Sequence, residues 1–374
     1  MDKDQPNKPQ FEEHHHRHHS KRRHHRRFHP WRWLGVIVLL FLFAGGSYAW
    51  YIYHNVKTTA DGTYIPLNKS EEEKTKDQSN LKNKKPLSIL IMGTDTGALG
   101  RTEARGRTDT LILMTVNPQT KKTTMTSIPR DTMAQMMGSK GINIQKINAA
   151  YSLGGADESV KSVSTLLNVP IQQYAVINMG GLEKIVDAVG GVDIDVPFSF
   201  KSEQDHYKHQ FTKGKMHLDG SAALAYVRMR YEDPRGDYGR AQRQRQVITA
   251  ILEAAPSMNT LSHFKTLTEQ VKGNFRTSLS FEDMIKLYQN YRPATAKIEQ
   301  DFVQGVGAYL NGSSYQIAST PELQRVSKKI RQNLGLKEAP LKNEETKQNA
   351  LNPDFNWQAE NSSGYEVQGA DKVN

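Results

Sequence analysis

Two aspartates and two arginines at the ends of short apolar runs are the residues of this chain best placed to do chemistry. Leu87 to Gly93 (LSILIMG) leads into Thr94 and Asp95, Asp109 to Val116 (DTLILMTV) is preceded by Arg107 and Thr108, and Lys122 to Ile128 (KTTMTSI) leads into Pro129, Arg130 and Asp131. Asn117, Pro118, Gln119 and Thr120 spell a turn, so the simplest arrangement of the three runs is a β-meander. With the first strand running up, the second down and the third up again, all three polar motifs gather at one sheet edge. The carboxylates of Asp95 and Asp109, flanked by guanidiniums, suit a hard divalent cation with phosphate oxygens, and Mg²⁺ is the natural choice. A single Asp–Arg pair of this kind is more often a loop cap in a salt bridge, and the convergence of three motifs is what favours a site.

A second concentration of charge lies between Leu224 and Ile251, where Arg228, Arg230, Arg235, Arg240, Arg243 and Arg245 face only Glu232, Asp233 and Asp237. That density calls for an anion. Asp237 reads as the N-cap of a helix running to about Ala255, on which Arg240 and Gln244 share a face while Val247, Ile248 and Ile251 point to the core. The helix start itself favours phosphate. Arg228 and Arg230 reach one ligand only if the preceding helix ends by Tyr226 or frays there. Arg245, about 100° around the helix from Gln244, points away from the shared face. The competing readings are a solvated basic face and a nucleic-acid groove. Tyr226, Tyr231 and Tyr238 are the segment's only aromatics, which supports base stacking poorly.

The elements that must position these groups alternate in type. Ile147 to Leu153 and Asp157 to Leu167 read as helices separated by Gly154 and Gly155, Tyr174 to Asn178 as a strand, Leu182 to Val189 as a helix closed by Gly190 and Gly191, and Val192 to Val196 as a strand. The pattern predicts a central sheet covered on both faces by helices. Of the 374 residues, those from 87 to 335 form one large domain, 54–86 read as a polar spacer, and 336–374 as a disordered polar tail.

Leu34 to Tyr53 is twenty residues without a charge, enough for one helix to span roughly 30 Å of hydrocarbon. Trp31, Trp33, Trp50, Tyr51 and Tyr53 sit at its ends, and the Lys/Arg cluster before it marks the cytoplasmic side, so the domain is expected outside the cell on a single-pass anchor. The rival is a signal peptide cleaved after Ser47, Tyr48 and Ala49, which also exports the domain. Residues 1–33 carry eight of the thirteen histidines and read as a disordered cationic tail lying on anionic lipid. Residues 1–32 hold nine Lys/Arg against four Asp/Glu, less than half of the net +11, so the rest of the chain is basic too. Such a balance suits nucleic acid, anionic lipid or an anionic polymer. With no cysteine, disulfide staples and thiol catalysis are excluded.

The motifs, taken in order, resemble the LytR-CpsA-Psr family of membrane-anchored cell-envelope enzymes. They run as ILIMGTD (89–95), RTDTLILMTVNP (107–118), SIPRDT (127–132), KINAAYSLGG (146–155), VINMGGLEKIVDAVGGVDIDV (176–196), LDGSAALAYVRMR (218–230) and DYGRAQRQ (237–244). The resemblance implies a three-layer α/β/α sandwich with a central mixed sheet and an apolar pocket for a polyprenyl lipid. It also implies Mg²⁺-assisted transfer of a glycopolymer (teichoic acid, capsule or wall polysaccharide) from polyprenyl diphosphate to peptidoglycan. Carried onto this chain, Asp95 and Asp109 are the metal-associated acids, and Arg107, Arg130, Arg228, Arg230, Arg240 and Gln244 bind the diphosphate. A sugar hydroxyl would attack phosphorus and polyprenyl phosphate would leave, with the cleaved diphosphate driving the reaction. The absence of GxxxxGK[ST] agrees, because no nucleotide is needed. Asp237 and Asp131 are the candidates for the general base, and each also reads as a cap or a salt bridge. Functions of other classes are a membrane-tethered DNA-binding regulator, which an external domain argues against, a non-catalytic carrier module, and a diphosphate hydrolase.

Overall fold

The computed structural model describes residues 62–96, 106–203, 206, 208–230, 232–254 and 269–373. The His-rich tail, the apolar run 34–53, the loop tip 97–105, Tyr231 and the expected helix end at Ala255 lie outside the described residues. Among the described residues no helix is long and apolar enough to cross a membrane.

The domain begins earlier than the sequence suggests. Residues 62–86 are a docked part of the domain and not a spacer: Ile65 N donates to Thr277 O at 2.8 Å, Leu67 is buried, and helix α1 (Glu71–Lys82) packs Leu81 into the core. The helix starts on a capping box between Ser70 and Glu73. Its sequence, EEEKTKDQSNLK, offers one apolar residue and therefore no hydrophobic stripe to read.

Strands β1 (Leu87–Thr94), β2 (Thr108–Asn117) and β3 (Lys122–Ser127) form the expected antiparallel meander. After the short strands β4 (Met133–Gln135) and β5 (Asn143–Lys146) comes helix α2 (Ala149–Leu167), which bends where Gly155 takes φ 68°, the break foreseen at the glycine pair. Strand β6 (Gln173–Asn178) lies parallel to β1. Helix α3 (Met179–Ala188) follows at once, its N-terminus capped by the Asn178 side chain accepting from Gly181 N. Strand β7 (Val192–Val196) does not join the central sheet. It pairs with β10 (Gly214–Leu218), beyond the two-residue strands β8 (Phe200–Lys201) and β9 (Gln210–Phe211). Helices α4 (Gly220–Arg228) and α5 (Gly236–Ala254) then lead to β11 (Phe275–Thr277), α6 (Phe281–Tyr291) and β12 (Lys297–Phe302). The hairpin β13 (Val306–Leu310) and β14 (Ser313–Ile317), helices α7 (Thr320–Asn333) and α8 (Glu344–Ala350), and β15 (Lys372–Val373) complete the chain.

The central sheet is six-stranded and mixed, in the order β11-β6-β1-β2-β3-β12. Alternation along each strand sends side chains to two cores. Leu90, Met92, Leu111 and Leu113 meet Val163 and Leu167 of α2 and Leu323 and Ile330 of α7, while Ile89, Ile112, Met114 and Met125 meet Leu81 of α1, Tyr291 of α6 and the α5 side chains Ile248 and Leu252. This is the expected α/β/α sandwich. A third core, with Val186, Ile194, Phe200, Phe211, Tyr226 and Val247, joins α3, α4 and α5 to the β7–β10 ribbon.

The largest departure from the sequence reading is at the C-terminus, where residues 336–373 fold onto the domain and are not a disordered tail. Phe355 and Tyr365 are buried against Val306, Tyr315 and Ile317 of the β13–β14 hairpin, β15 extends the β4–β5 ribbon, and Gly307 N donates to Glu360 O at 2.8 Å. Polar side chains hold this layer in place of an apolar stripe. Asn349 and Asn352 are buried and donate to backbone carbonyls, and Gln135 N donates to Glu345 at 2.7 Å.

Candidate active site

The pairing of Thr94 with Thr108 carries Asp95 and Asp109 to the same end of the sheet, and the parallel pairing of Thr94 with Asn178 brings the start of α3 there too. Gly93 is required at this corner. A Cβ on it would lie 2.9 Å from Cβ of Thr110 on the facing strand, closer than packed atoms tolerate. Between this sheet end and helices α4 and α5 is a cavity of ≈ 320 Å³. Its apolar wall includes Ile91, Ile177, Leu182, Leu224, Val227, Val247 and Ile248, and its polar wall includes Asp95, Asp109, Asn178, Arg228, Arg230, Arg240 and Gln244.

The structure therefore joins the two charge concentrations in one site. Arg228 closes α4, and Met229 turns extended (φ −54°, ψ 135°), which lets Arg230 line the same cavity although the helix runs two residues beyond Tyr226. Arg240 and Gln244 project together from α5 as their spacing requires. Arg130 is not part of the cavity wall but touches it through Asp109, its NH1 donating to Asp109 Oδ1 at 2.7 Å. Asp237 lies between two arginines, 3.2 Å from Arg240 NH2 and 3.8 Å from Arg130 Nε. Arg107 does not line the cavity. It is exposed where β2 begins, and its charge acts on the phenol of Tyr315.

Electrostatics at this site favour an anionic ligand. Burial lowers the pKa of Arg240, which is 8% exposed, and repulsion from Arg130 and Arg230 adds to that, with Asp237 and Asp109 acting in the opposite sense. For Arg130 burial also acts against the charge, but its hydrogen bond to Asp109 and the nearby Asp131 and Asp237 outweigh it and raise the pKa.

Three other arginines of the segment are occupied internally, which sequence reasoning missed. Arg243 is fully buried, and its Nε and NH2 donate to Tyr226 O (3.2 Å) and Met229 O (2.6 Å), carbonyls at the C-terminus of α4. Its NH1 pairs with the buried Asp233, which also accepts from Arg235. Burial alone would raise the Asp233 pKa, and the hydrogen bonds from Arg235 and Arg243 hold it below the usual carboxylate range. The pair leaves no room beside it: a Cβ on Gly239 would meet Asp233 Oδ2 at 1.9 Å. Arg245 points away from the cavity as expected, but it is not a surface residue. It is 6% exposed, donates to Ser127 and Gln300, and burial pushes its pKa down to about 10. The legible signal for these roles was the sparse run of acids, in which Asp233 is the single carboxylate buried among the basic residues.

Asp95 and Asp109 line one cavity, and among the described residues no group of three or more His, Asp or Glu side chains gathers as a metal cage. Two carboxylates beside a wall of arginines have the donor chemistry that fits Mg²⁺, which usually takes one or two protein carboxylates and completes its shell with water and phosphate oxygens.

Residues 50–332 match the LytR_cpsA_psr family. Among the chain's relatives is the polyisoprenyl-teichoic acid–peptidoglycan teichoic acid transferase TagU of Enterococcus faecalis, 44% identical over 303 residues that cover 81% of this chain and 96% of the relative. Among solved structures, a transcriptional regulator from Enterococcus faecalis superposes with a TM-score of 0.61 at 35% identity, covering 70% of this chain and 92% of that one. TagT bound to LI-WTA superposes with a TM-score of 0.59 at 26% identity, covering 73% of this chain and all of that one, 100%.

Proposed function

The chain belongs to the LytR-CpsA-Psr family, and from that premise we propose that it transfers an anionic glycopolymer from polyprenyl diphosphate to peptidoglycan. The product is a phosphodiester link, with polyprenyl phosphate released. The observation that carries this reading is the convergence of Arg228, Arg230, Arg240 and Gln244 with Asp95 and Asp109 on one cavity whose remaining wall is apolar. An amphipathic donor needs both surfaces: cations for its diphosphate and hydrocarbon-like side chains for its prenyl chain.

Arg130, Arg228, Arg230 and Arg240 would bind the diphosphate oxygens and neutralise charge building on the leaving phosphate. Asp109 holds Arg130 by the 2.7 Å hydrogen bond, fixing the angle of its planar fork. Mg²⁺ held by Asp95 and Asp109 would supply further charge neutralisation on the phosphoryl oxygens. The reading also places the domain outside the cell, anchored by Leu34 to Tyr53, with its donor lipid in the same membrane. A DNA-binding role is not favoured, because Arg228, Arg230 and Arg240 face a cavity and Arg243 and Arg245 are buried, leaving little of the segment's charge for a nucleic-acid face.

The test uses the full chain reconstituted in vesicles that hold a short lipid-linked glycan. Peptidoglycan fragments and Mg²⁺ are added to the face carrying the domain. Mass spectrometry is expected to find the joined glycan–peptidoglycan product, lost when Mg²⁺ is chelated or when protease is applied to that face. Release of free polymer without a joined product would make the protein a hydrolase.

A further inference from the structure

One polar residue of the cavity wall stands apart from its charges. Asn178 ends β6 beside Thr94, and the cavity-lining side chains next to it in the chain, Ile177, Met179 and Leu182, are apolar. It is thus a neutral polar group set in the wall open to hydrocarbon. Its side-chain amide is pinned on both sides. Oδ1 accepts from Gly181 N at 2.9 Å, capping α3, and Nδ2 donates to Asn274 Oδ1 at 2.9 Å. A backbone N–H needs an acceptor, so the bond from Gly181 fixes which side of the amide carries the nitrogen. That nitrogen bears two N–H groups, and Asn274 takes one of them. The other has no acceptor among the described residues, on a side chain that lines the cavity.

Asn274 holds this arrangement from behind. It closes a turn from Val271, to whose carbonyl its N donates at 2.8 Å, and Gly273 in that turn takes φ 82°, a backbone conformation that favours glycine. The carbonyl of Asn274 also accepts from Asn178 N at 3.0 Å, so backbone and side chain of Asn178 are bound to the same residue. The approach is close: a Cβ on Gly181 would lie 2.7 Å from Asn274 O. Helix capping accounts for the Oδ1 of Asn178 alone, whereas the link to Asn274 orients the nitrogen.

Resting on the transferase reading, we propose that Asn178 Nδ2 donates to an oxygen of the phosphate that carries the prenyl chain, and that Asn274 is its positioning residue. That phosphate joins the hydrocarbon to the rest of the donor, so it lies where the apolar wall gives way to the arginines. It is also the leaving group. As the acceptor oxygen bonds to the polymer-bearing phosphorus and its hydroxyl proton is released, the bridging P–O bond breaks with its electron pair staying on the prenyl phosphate. An N–H already aimed there steadies the growing charge without reorganising.

Polyprenyl monophosphate, which holds this phosphate and no other, is the probe. Its affinity for the full chain is measured beside transfer and thermal midpoint. Asn178→Ser keeps an oxygen that caps α3 but is too short to reach the ligand and has no amide N–H. It is expected to weaken monophosphate binding at least about tenfold, the size of a lost hydrogen bond to a charged group, and to lower transfer about 100-fold, at the midpoint of the wild type. Unchanged monophosphate affinity overturns the proposal. If Asn178→Ser melts early, Asn178→Asp decides instead, because its carboxylate caps α3 and accepts from a turned Asn274 amide. A loss of affinity that persists at high salt then supports the assignment, and retained affinity, or a loss that high salt abolishes, overturns it. Asn274→Leu is expected to weaken binding as Asn178→Ser does, while Asn274→Asp, which keeps the acceptor, binds like wild type at high salt. Wild-type binding by Asn274→Leu, or equal losses in both, overturns the positioning role. A wild-type chain that binds no polyprenyl monophosphate overturns the donor site of the transferase reading, a result distinct from variants that bind as tightly as wild type.

Discussion

Replacing Arg243 with alanine is expected to unfold or nearly unfold the domain, at a cost of about 3–5 kcal/mol for breaking a buried ion pair. The side chain is fully buried and has three partners: Asp233, Tyr226 O and Met229 O. Its loss leaves a buried carboxylate with only Arg235, and uncaps the end of α4 from which Arg228 and Arg230 enter the cavity. Because a whole domain is stable by only about 5–15 kcal/mol, the loss is a large share of the total. Arg243→Lys should fail as well, since one ammonium cannot reproduce the fork that meets three acceptors. Thermal denaturation reads the effect directly, with the exposed Arg292→Ala as the variant expected within about 0.5 kcal/mol of wild type. An Arg243→Ala protein that melts with wild type would show that the turn after α4 is held by something else.

Asp109→Ala is expected to remove at least about 100-fold of the transfer activity, the size of effect seen when one preorganised electrostatic group is deleted. Its side chain is 38% exposed, and the bond it makes holds Arg130 at the cavity, so the loss should fall on activity and leave the melting temperature nearly unchanged. Asp95→Ala should behave alike, because both carboxylates line the same cavity. Asp109→Ala protein that unfolds, or that is folded and fully active, would return this residue to the status of a loop cap.

How much of this was legible in the chain depends on what kind of signal each part carries. The meander could be read because β1, β2 and β3 are short apolar runs joined by an unmistakable turn, and it alone sufficed to bring Asp95, Asp109 and Arg130 to one end. Arg240 and Gln244 followed from helical spacing. What spacing could not give was the role of each arginine. Arg240, Arg243 and Arg245 sit within six residues of one helix, yet one faces the cavity, one caps the neighbouring helix and one bonds Ser127 and Gln300. Only the packing of α5 against α4 and β3 decides among them.

The terminal segments escaped notice for a different reason. Hydrophobic periodicity finds elements that bury a stripe, and α1 buries Leu81 alone. Residues 336–373 bury isolated aromatics, Phe355 and Tyr365, at no regular spacing and satisfy buried Asn and Gln side chains through backbone carbonyls. A polar composition of that kind looks like disorder until its partners are seen. The strand Val192–Val196 was correctly recognised as a strand, but its partner β10 lies in a separate ribbon, and strand pairing is a non-local property that its own five residues do not encode.

On the proposed function, Arg130, Arg228 and Arg240 form a specific diphosphate site and not a generic basic face. The most direct measurement is the affinity of a polyprenyl diphosphate analogue for the wild type and for Arg130→Lys, Arg228→Lys, Arg240→Lys and Arg292→Lys, each at two salt concentrations. In a site built on bidentate forks, lysine restores the charge but not the geometry, so the first three should bind far more weakly than wild type at both salts while Arg292→Lys binds normally. Four equal, small, salt-sensitive losses, the behaviour of a screened surface patch, would contradict the site.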